Sequence, residues 1–227
     1  MSEEGSMKIA LYPVPLLVVA VFLLIRAGIL RKQRQFYFFK PISTLLVIAV
    51  ALLSVLEPEQ ELTYTIGVII GLVLSFGGDI ALLFEDKRNA FALGLALFLL
   101  AHVSYTVTFT VLGQASAWDG LSMAALIAAG LGFYALIRPN LGRMRVPVIV
   151  YILVISVMVS RAGSTFSRPL FTNGQASMVV AGALLFYLSD LILAAHRFWK
   201  PWRYRRVSLG LYYSGQLLIA LAASYFV

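Results

Sequence analysis

The sequence has no cysteine, only two histidines in 227 residues, and charged side chains at only 12% of positions. The first absence excludes disulfides, thiolate metal sites and cysteine nucleophiles. The histidines, His102 and His196, belong to no His-Glu-x-x-His motif, so neither a metal nor a cofactor is expected. A Gly-x-Ser-x-Gly elbow is also missing, which leaves little support for a serine hydrolase triad. The scarcity of charge is the most restrictive feature. Soluble domains carry about 25% charged and roughly 45–50% apolar residues. This chain is 61% hydrophobic, with a mean hydropathy of +0.91. A compact domain of this size exposes too much of its surface to hide that content from water. The solvent must be lipid.

Apolar runs fall near residues 10–30, 40–56, 63–84, 90–112, 119–137, 146–160, 175–196 and 207–226. Each approaches the roughly 20 residues that one helical crossing needs. The expected fold is all-α: a polytopic membrane protein of about eight helices, forming a single transmembrane domain over residues 1–227. Residues 1–9 form a polar N-terminal segment. Glu3 and Glu4 stand where a cleavable signal would be basic, so the first helix is expected to be retained, with Met7 as an alternative start. The sixth run is the shortest, cut by Arg161. It either tilts little or continues past the arginine by snorkelling.

A net charge of +8 in a soluble protein would suggest nucleic acid or acidic partners. Its placement gives another reason. Fifteen of the 18 lysines and arginines lie in or beside the first, third, fifth and seventh loops. Only Lys8, Arg161 and Arg168 fall on the other side, which also carries Glu57, Glu59 and Glu61. The positive-inside rule then puts the odd loops in the cytoplasm and both termini outside. Topology explains the charge and no nucleic-acid partner is expected, although the same basic face attracts anionic lipid and phosphate headgroups.

Ionisable groups inside such spans are costly and mark function by default. Asp79 follows Gly77-Gly78 in the third span, Asp190 follows Ser189 in the seventh, and His102 lies about midway along the fourth. Lys40 opens the second span near the membrane surface, followed by Pro41 at a helix start where its missing N–H costs nothing. Counting ~1.5 Å per residue from Phe84 and His196 puts both aspartates roughly 8–9 Å inside the cytoplasmic end. Tyr151, Tyr212 and Gln216 enter from that side to similar depth. One polar layer implies one cavity. Structural duties are open to each: an ion pair for the aspartates, an interhelical hydrogen bond for His102, packing for Tyr105, Tyr151, Tyr212, Gly77 and Gly78.

Two carboxylates sharing a poorly solvated cavity favour one proton between them, which supplies an acid and a base together. Acid-labile bonds with oxocarbenium-like transition states suit that pair. In a membrane, the vinyl ether of a plasmalogen-type lipid is such a bond. The Gly78-Asp79 block, Gly94…Phe98…His102-x-x-Tyr105 and Gly182-Ala183…Phe186…Ser189-Asp190 together resemble the lysoplasmalogenase-like family of eight-helix membrane proteins. Lys40-Pro41 and Tyr212…Gln216 extend the resemblance from the second span to the eighth. It implies hydrolysis of a lysoplasmalogen to a fatty aldehyde and a glycerophospho-headgroup, with Asp79 and Asp190 as the catalytic pair. On this reading the partners are a lysophospholipid substrate and bilayer lipid. Lys40 would meet the lipid phosphate. His102, Tyr105, Tyr151, Ser189, Tyr212 and Gln216 would line the substrate site and orient water or headgroup. The setting would be the cell membrane of a bacterium or an internal membrane of a eukaryote.

Two rivals remain. Gly77-Gly78-Asp79 superficially resembles the Gly-x-Gly-Asp of intramembrane aspartyl proteases, but no Pro-Ala-Leu element follows. A proton-coupled transporter with the aspartates as a relay is the alternative outside enzymology.

Overall fold

The computed structural model describes residues 8–58, 60–200 and 206–226. The polar segment 1–7 with its alternative start, Glu59, and Arg203 and Arg205 of the seventh loop lie outside the described residues. Eight α-helices follow one another: α1 (Val14–Ile29), α2 (Gln33–Leu53), α3 (Leu62–Leu82), α4 (Arg88–Leu112), α5 (Ala117–Ile137), α6 (Arg145–Gly163), α7 (Asn173–Phe198) and α8 (Val207–Ala222). Seven of these stretches are long and apolar enough to cross a membrane, the first with its preceding 3-10 turn at Ile9–Leu11. The eighth is an apolar helix of 16 residues. The protein is a multi-pass membrane protein, and no strand occurs among the described residues.

The second helix differs from the sequence expectation. It starts at Gln33, so Lys40 and Pro41 lie inside α2 and Lys40 is only 5% exposed. Hydropathy placed the boundary too late because Arg31, Lys32 and Arg34 hide the helical start of an aromatic segment. The chain reverses in a very short turn, with Arg31 in the left-handed region at φ 55. Pro41 brings no N–H to the ladder, a gap that helices in lipid tolerate where side chains supply bonds. The gap falls at the Tyr37 carbonyl, four residues before the proline. Separately, the Lys40 carbonyl accepts from the Tyr213 hydroxyl at 2.9 Å, which ties α2 to α8, and from Thr44 Oγ1 at 3.3 Å.

Helix α6 takes the second of its two expected courses and runs past Arg161 to Gly163. The arginine is tolerated because Nη1 donates to Asp119 Oδ2 at 2.7 Å and Nε to Thr110 at 3.2 Å. Asp119 in turn accepts from the Ser116 backbone N–H, closing the first turn of α5. At the same end Glu57 accepts from the Ile9 N–H at 2.8 Å, and Tyr64, Phe171 and Phe226 pack ring to ring.

Close approach of backbones fixes two of the contacts that frame the interior. A Cβ on Gly78 would come within 2.7 Å of the Phe98 ring, so α3 and α4 meet closely there. A Cβ on either Gly182 or Gly215 would come within 2.7 Å of the other's carbonyl, so α7 and α8 touch backbone to backbone. Small residues at such crossings replace the hydrophobic drive that lipid cannot supply. Helix α5 stays peripheral, with only Gly130 and Ile137 buried.

The opposite end gathers the odd loops. The last turns of α1, α3 and α7 and the first turns of α2 and α8 line one large cavity there. Asn140, after α5, donates to the Phe198 carbonyl at the end of α7 at 2.7 Å. The loops that carry most of the lysines and arginines therefore share one basic end.

Candidate active site

Asp79 reaches from α3 into a shell built by α2 and α8. Lys40 Nζ lies 3.2 Å from its Oδ1 and also donates to the Asp79 main-chain carbonyl at 3.2 Å. Oδ2 accepts from Thr44 Oγ1 at 2.6 Å and from the Tyr212 hydroxyl at 2.8 Å. Lys40 and Thr44 stand one helical turn apart on the same face of α2, which is why both reach one carboxylate. Asp79 is 2% exposed. A buried carboxylate in lipid needs this compensation, a cation plus hydrogen bonds to its remaining lone pairs.

Asp190 reaches from α7 toward α6 and α4. Tyr151 donates to its Oδ2 at 2.6 Å. His102 Nε2 lies 3.7 Å from the same oxygen, beyond hydrogen-bond distance. The Asp190 side chain is 18% exposed, whereas the Asp79 side chain is at 3%.

An aromatic partition stands between the two shells. Phe186 meets the His102 ring at 4.6 Å and the Tyr212 ring at 5.2 Å, both edge to face. Phe98, held over Gly78, meets Tyr212 at 5.8 Å. The carboxyls make no hydrogen bond to each other, so the site is two poles rather than a proton-sharing pair. Both poles nevertheless line one cavity of about 80 Å³, with Ser189 and Tyr212. Asp190 and Tyr151 also border an apolar slot of about 70 Å³ between α4, α5, α6 and α7, walled by Leu95, Phe133, Val148 and Ile155. Spaces of this size hold a few waters or the reacting end of a lipid, not a whole chain.

The other residues expected from sequence fall around these poles. Tyr105 donates to Gln216 Oε1 at 2.7 Å, deep in the interior. Ser189 donates to the Ser208 carbonyl at 2.9 Å, which ties α7 to α8 beside the cavity. The side chains of His102, Ser75 and Gln216 keep buried nitrogen or oxygen atoms with no protein hydrogen-bond partner. Lys40, expected at the membrane surface, is instead inside against Asp79, because its helix begins seven residues earlier than Lys40. Thr44, Tyr213, Phe98 and Phe186 complete the shells without having been singled out as site residues. Phe98 and Phe186 stood in the motifs that carry the resemblance, Thr44 lies four residues from Lys40, and Tyr213 left no signal. No group of three or more histidine, aspartate or glutamate side chains suited to a metal occurs among the described residues.

A helical membrane bundle with one buried and one half-buried carboxyl at one cavity is the class of protein these features define. The YhhN family model matches residues 35–223, and the chain belongs to that family. The chain is 35% identical to lysoplasmalogenase TMEM86A of Bos taurus over 165 residues, and 36% identical to that of Homo sapiens over 160. Each match covers 69% of this chain and 64% of the relative, so the chain spans less than two thirds of their length. A lysoplasmalogenase of Mycobacterium tuberculosis is 32% identical over 132 residues, covering 56% of this chain and 48% of that protein. No solved structure matches the chain.

Proposed function

We propose that this protein hydrolyses the vinyl-ether bond of a lysoplasmalogen, releasing a fatty aldehyde and a glycerophospho-headgroup. The observation that carries the reading is one cavity lined by Asp79 and Asp190, with Asp190 also on an apolar slot. The lysoplasmalogenases among its relatives point the same way.

The two environments suggest different duties. Asp79 has its charge matched by Lys40 and both oxygens engaged, so it serves as a fixed carboxylate. Asp190 faces a phenol and an imidazole and is the more accessible, so it is the group that moves a proton. The reacting end of the alkenyl chain enters the apolar slot, which brings its second carbon to Asp190. Asp190 protonates that carbon, and the double-bond electrons leave an oxocarbenium ion at the first carbon. The fixed charge of Asp79 stabilises the cation without reorganising. Water adds to the first carbon and returns a proton to Asp190. The hemiacetal then loses its hydroxyl proton as the glycerol oxygen gains one, giving aldehyde and alcohol. The unpartnered atoms of His102 and Gln216 are available to hold water or substrate oxygen.

Purified protein in proteoliposomes, given an alkenyl lysophospholipid and its ester counterpart, tests the reading by mass spectrometry of products. Aldehyde from the vinyl ether alone is expected, and Asp79→Asn and Asp190→Asn should each abolish it while the protein still elutes as folded. Normal turnover in either variant would remove that aspartate from the mechanism. We also assign the basic end to the cytoplasm and both termini to the other side. Labelling of single cysteines introduced in the loops of intact cells checks this.

A further inference from the structure

The cavity at the basic end is far larger than the aspartate site, about 1340 Å³, and opens into it. Phe36, Leu82, Glu85, Leu193, His196 and Arg206 line both spaces. A vestibule of this kind is where the polar part of an amphiphile stays while its chain reaches inward.

Two arginines there are held in place: Arg197 lies over the Phe91 ring and donates to the Glu85 carbonyl, and Arg206 alone lines both spaces. Its guanidinium carbon lies 4.5 Å from the centre of the Phe36 ring. The same side chain crosses Gly28 of α1, where a Cβ would come within 2.6 Å of Nε and 2.9 Å of Cδ. The side chain therefore needs a residue without Cβ at position 28. A long cation normally loses much rotamer freedom when it binds a ligand, and a guanidinium already held between ring and backbone loses less. Its planar fork matches a phosphate, with two parallel donors. Arg206 also directly precedes the first turn of α8, so the positive end of that helix dipole adds to the field. Arg31 and Arg197 line the same vestibule, as do Glu85 and Asp86, which leaves an excess of arginine.

We infer that Arg206, seated between Gly28 and Phe36, anchors the phosphate of the lysolipid headgroup and thereby sets how far the alkenyl chain reaches toward Asp190. This rests on the hydrolase reading above. Lys40 is not needed for that task, since its ammonium is committed to Asp79.

The test compares two substrates with the same alkenyl chain, a lysophospholipid and an alkenylglycerol without phosphate. In wild type kcat/KM should favour the phospholipid. Arg206→Gln should lower that preference about tenfold, the loss carried by KM. Arg206→Lys should recover part of it, and Gly28→Ala, which displaces the guanidinium, should lower it several-fold with Arg206 intact. An unchanged preference in both Arg206→Gln and Gly28→Ala would overturn the inference. So would a loss that falls equally on both substrates. If wild type releases aldehyde from neither substrate, the hydrolase reading fails. Thermal stabilisation by a non-cleavable alkyl-ether lysophospholipid then tests the anchor alone. Stabilisation beyond that of the alkylglycerol, lost in Arg206→Gln, supports it, and equal stabilisation overturns it. Stabilisation by inorganic phosphate but not by the ether lipid would assign the site to free phosphate and overturn the lipid assignment.

Discussion

Asp79 and Asp190 occupy similar sequence settings, each after a small residue and before an aliphatic run, yet they sit in unlike surroundings. Asp79 is closed in by a lysine, a threonine and a tyrosine from α2 and α8. Asp190 touches a tyrosine from α6 and a histidine from α4, and borders two cavities. One carboxyl is saturated and the other has room to react. The pair teaches that like residues in like sequence settings need not have like surroundings. The partner helices decide.

The sharpest way to break the contrast is to remove the reactive pole. Asp190→Asn should lower turnover about 10²–10⁴-fold, the usual range for a positioned acid–base group, with little change in melting temperature. Aldehyde release and a thermal melt in the same detergent measure both halves of that statement. Retained turnover would remove Asp190 from the mechanism and leave it a structural carboxyl.

Lys40→Met attacks the other pole by stripping Asp79 of its cation. Breaking a buried pair from one side costs about 3–5 kcal/mol, so thermal stability should drop clearly. Adding Asp79→Asn to that variant should restore part of the stability, because the orphan charge is gone, but no activity. If the double variant is as unstable as the single, the ion pair is not what Lys40 contributes.

A subtler comparison sets the two tyrosines against each other. Tyr151 makes the one hydrogen bond to Asp190 among the described residues, whereas Tyr212 shares Asp79 with Lys40 and Thr44. A hydrogen bond to a charged group is worth about 1.5–3 kcal/mol, so Tyr151→Phe should cost roughly ten- to a hundredfold in kcat. Tyr212→Phe should cost less. The reverse order would shift the proton-moving role to Asp79.

The smallest effect is expected at Thr44, where valine keeps the shape and loses the hydroxyl. Thr44→Val should destabilise the protein by about 1 kcal/mol through its bond to Asp79. A denaturation series in mixed micelles would read it. No change would mean that Lys40 and Tyr212 already satisfy the carboxylate.

Most helices were legible in the sequence to within a few residues. The third apolar run, at 63–84, became Leu62–Leu82, and the fourth, at 90–112, became Arg88–Leu112. Long apolar stretches in lipid have no other way to satisfy their backbone, so hydropathy finds them. It failed at the start of α2, because basic residues there depress the window while the helix simply continues. It could not choose between the two courses of α6, since Asp119, the partner that carries Arg161 inward, is 42 positions away in sequence.

The sequence by itself determined the number of helices, the gathering of positive charge at one end and the two aspartates as residues of one cavity. All three follow from one-dimensional quantities: hydropathy, charge and rise per residue. Only the tertiary structure decided which helices stand beside each aspartate, because rotation and adjacency depend on packing such as Gly78 under Phe98 and Gly182 against Gly215. That packing brought Lys40 to Asp79 and left Asp190 beside Tyr151 and an apolar slot. Two like residues thereby became unlike groups.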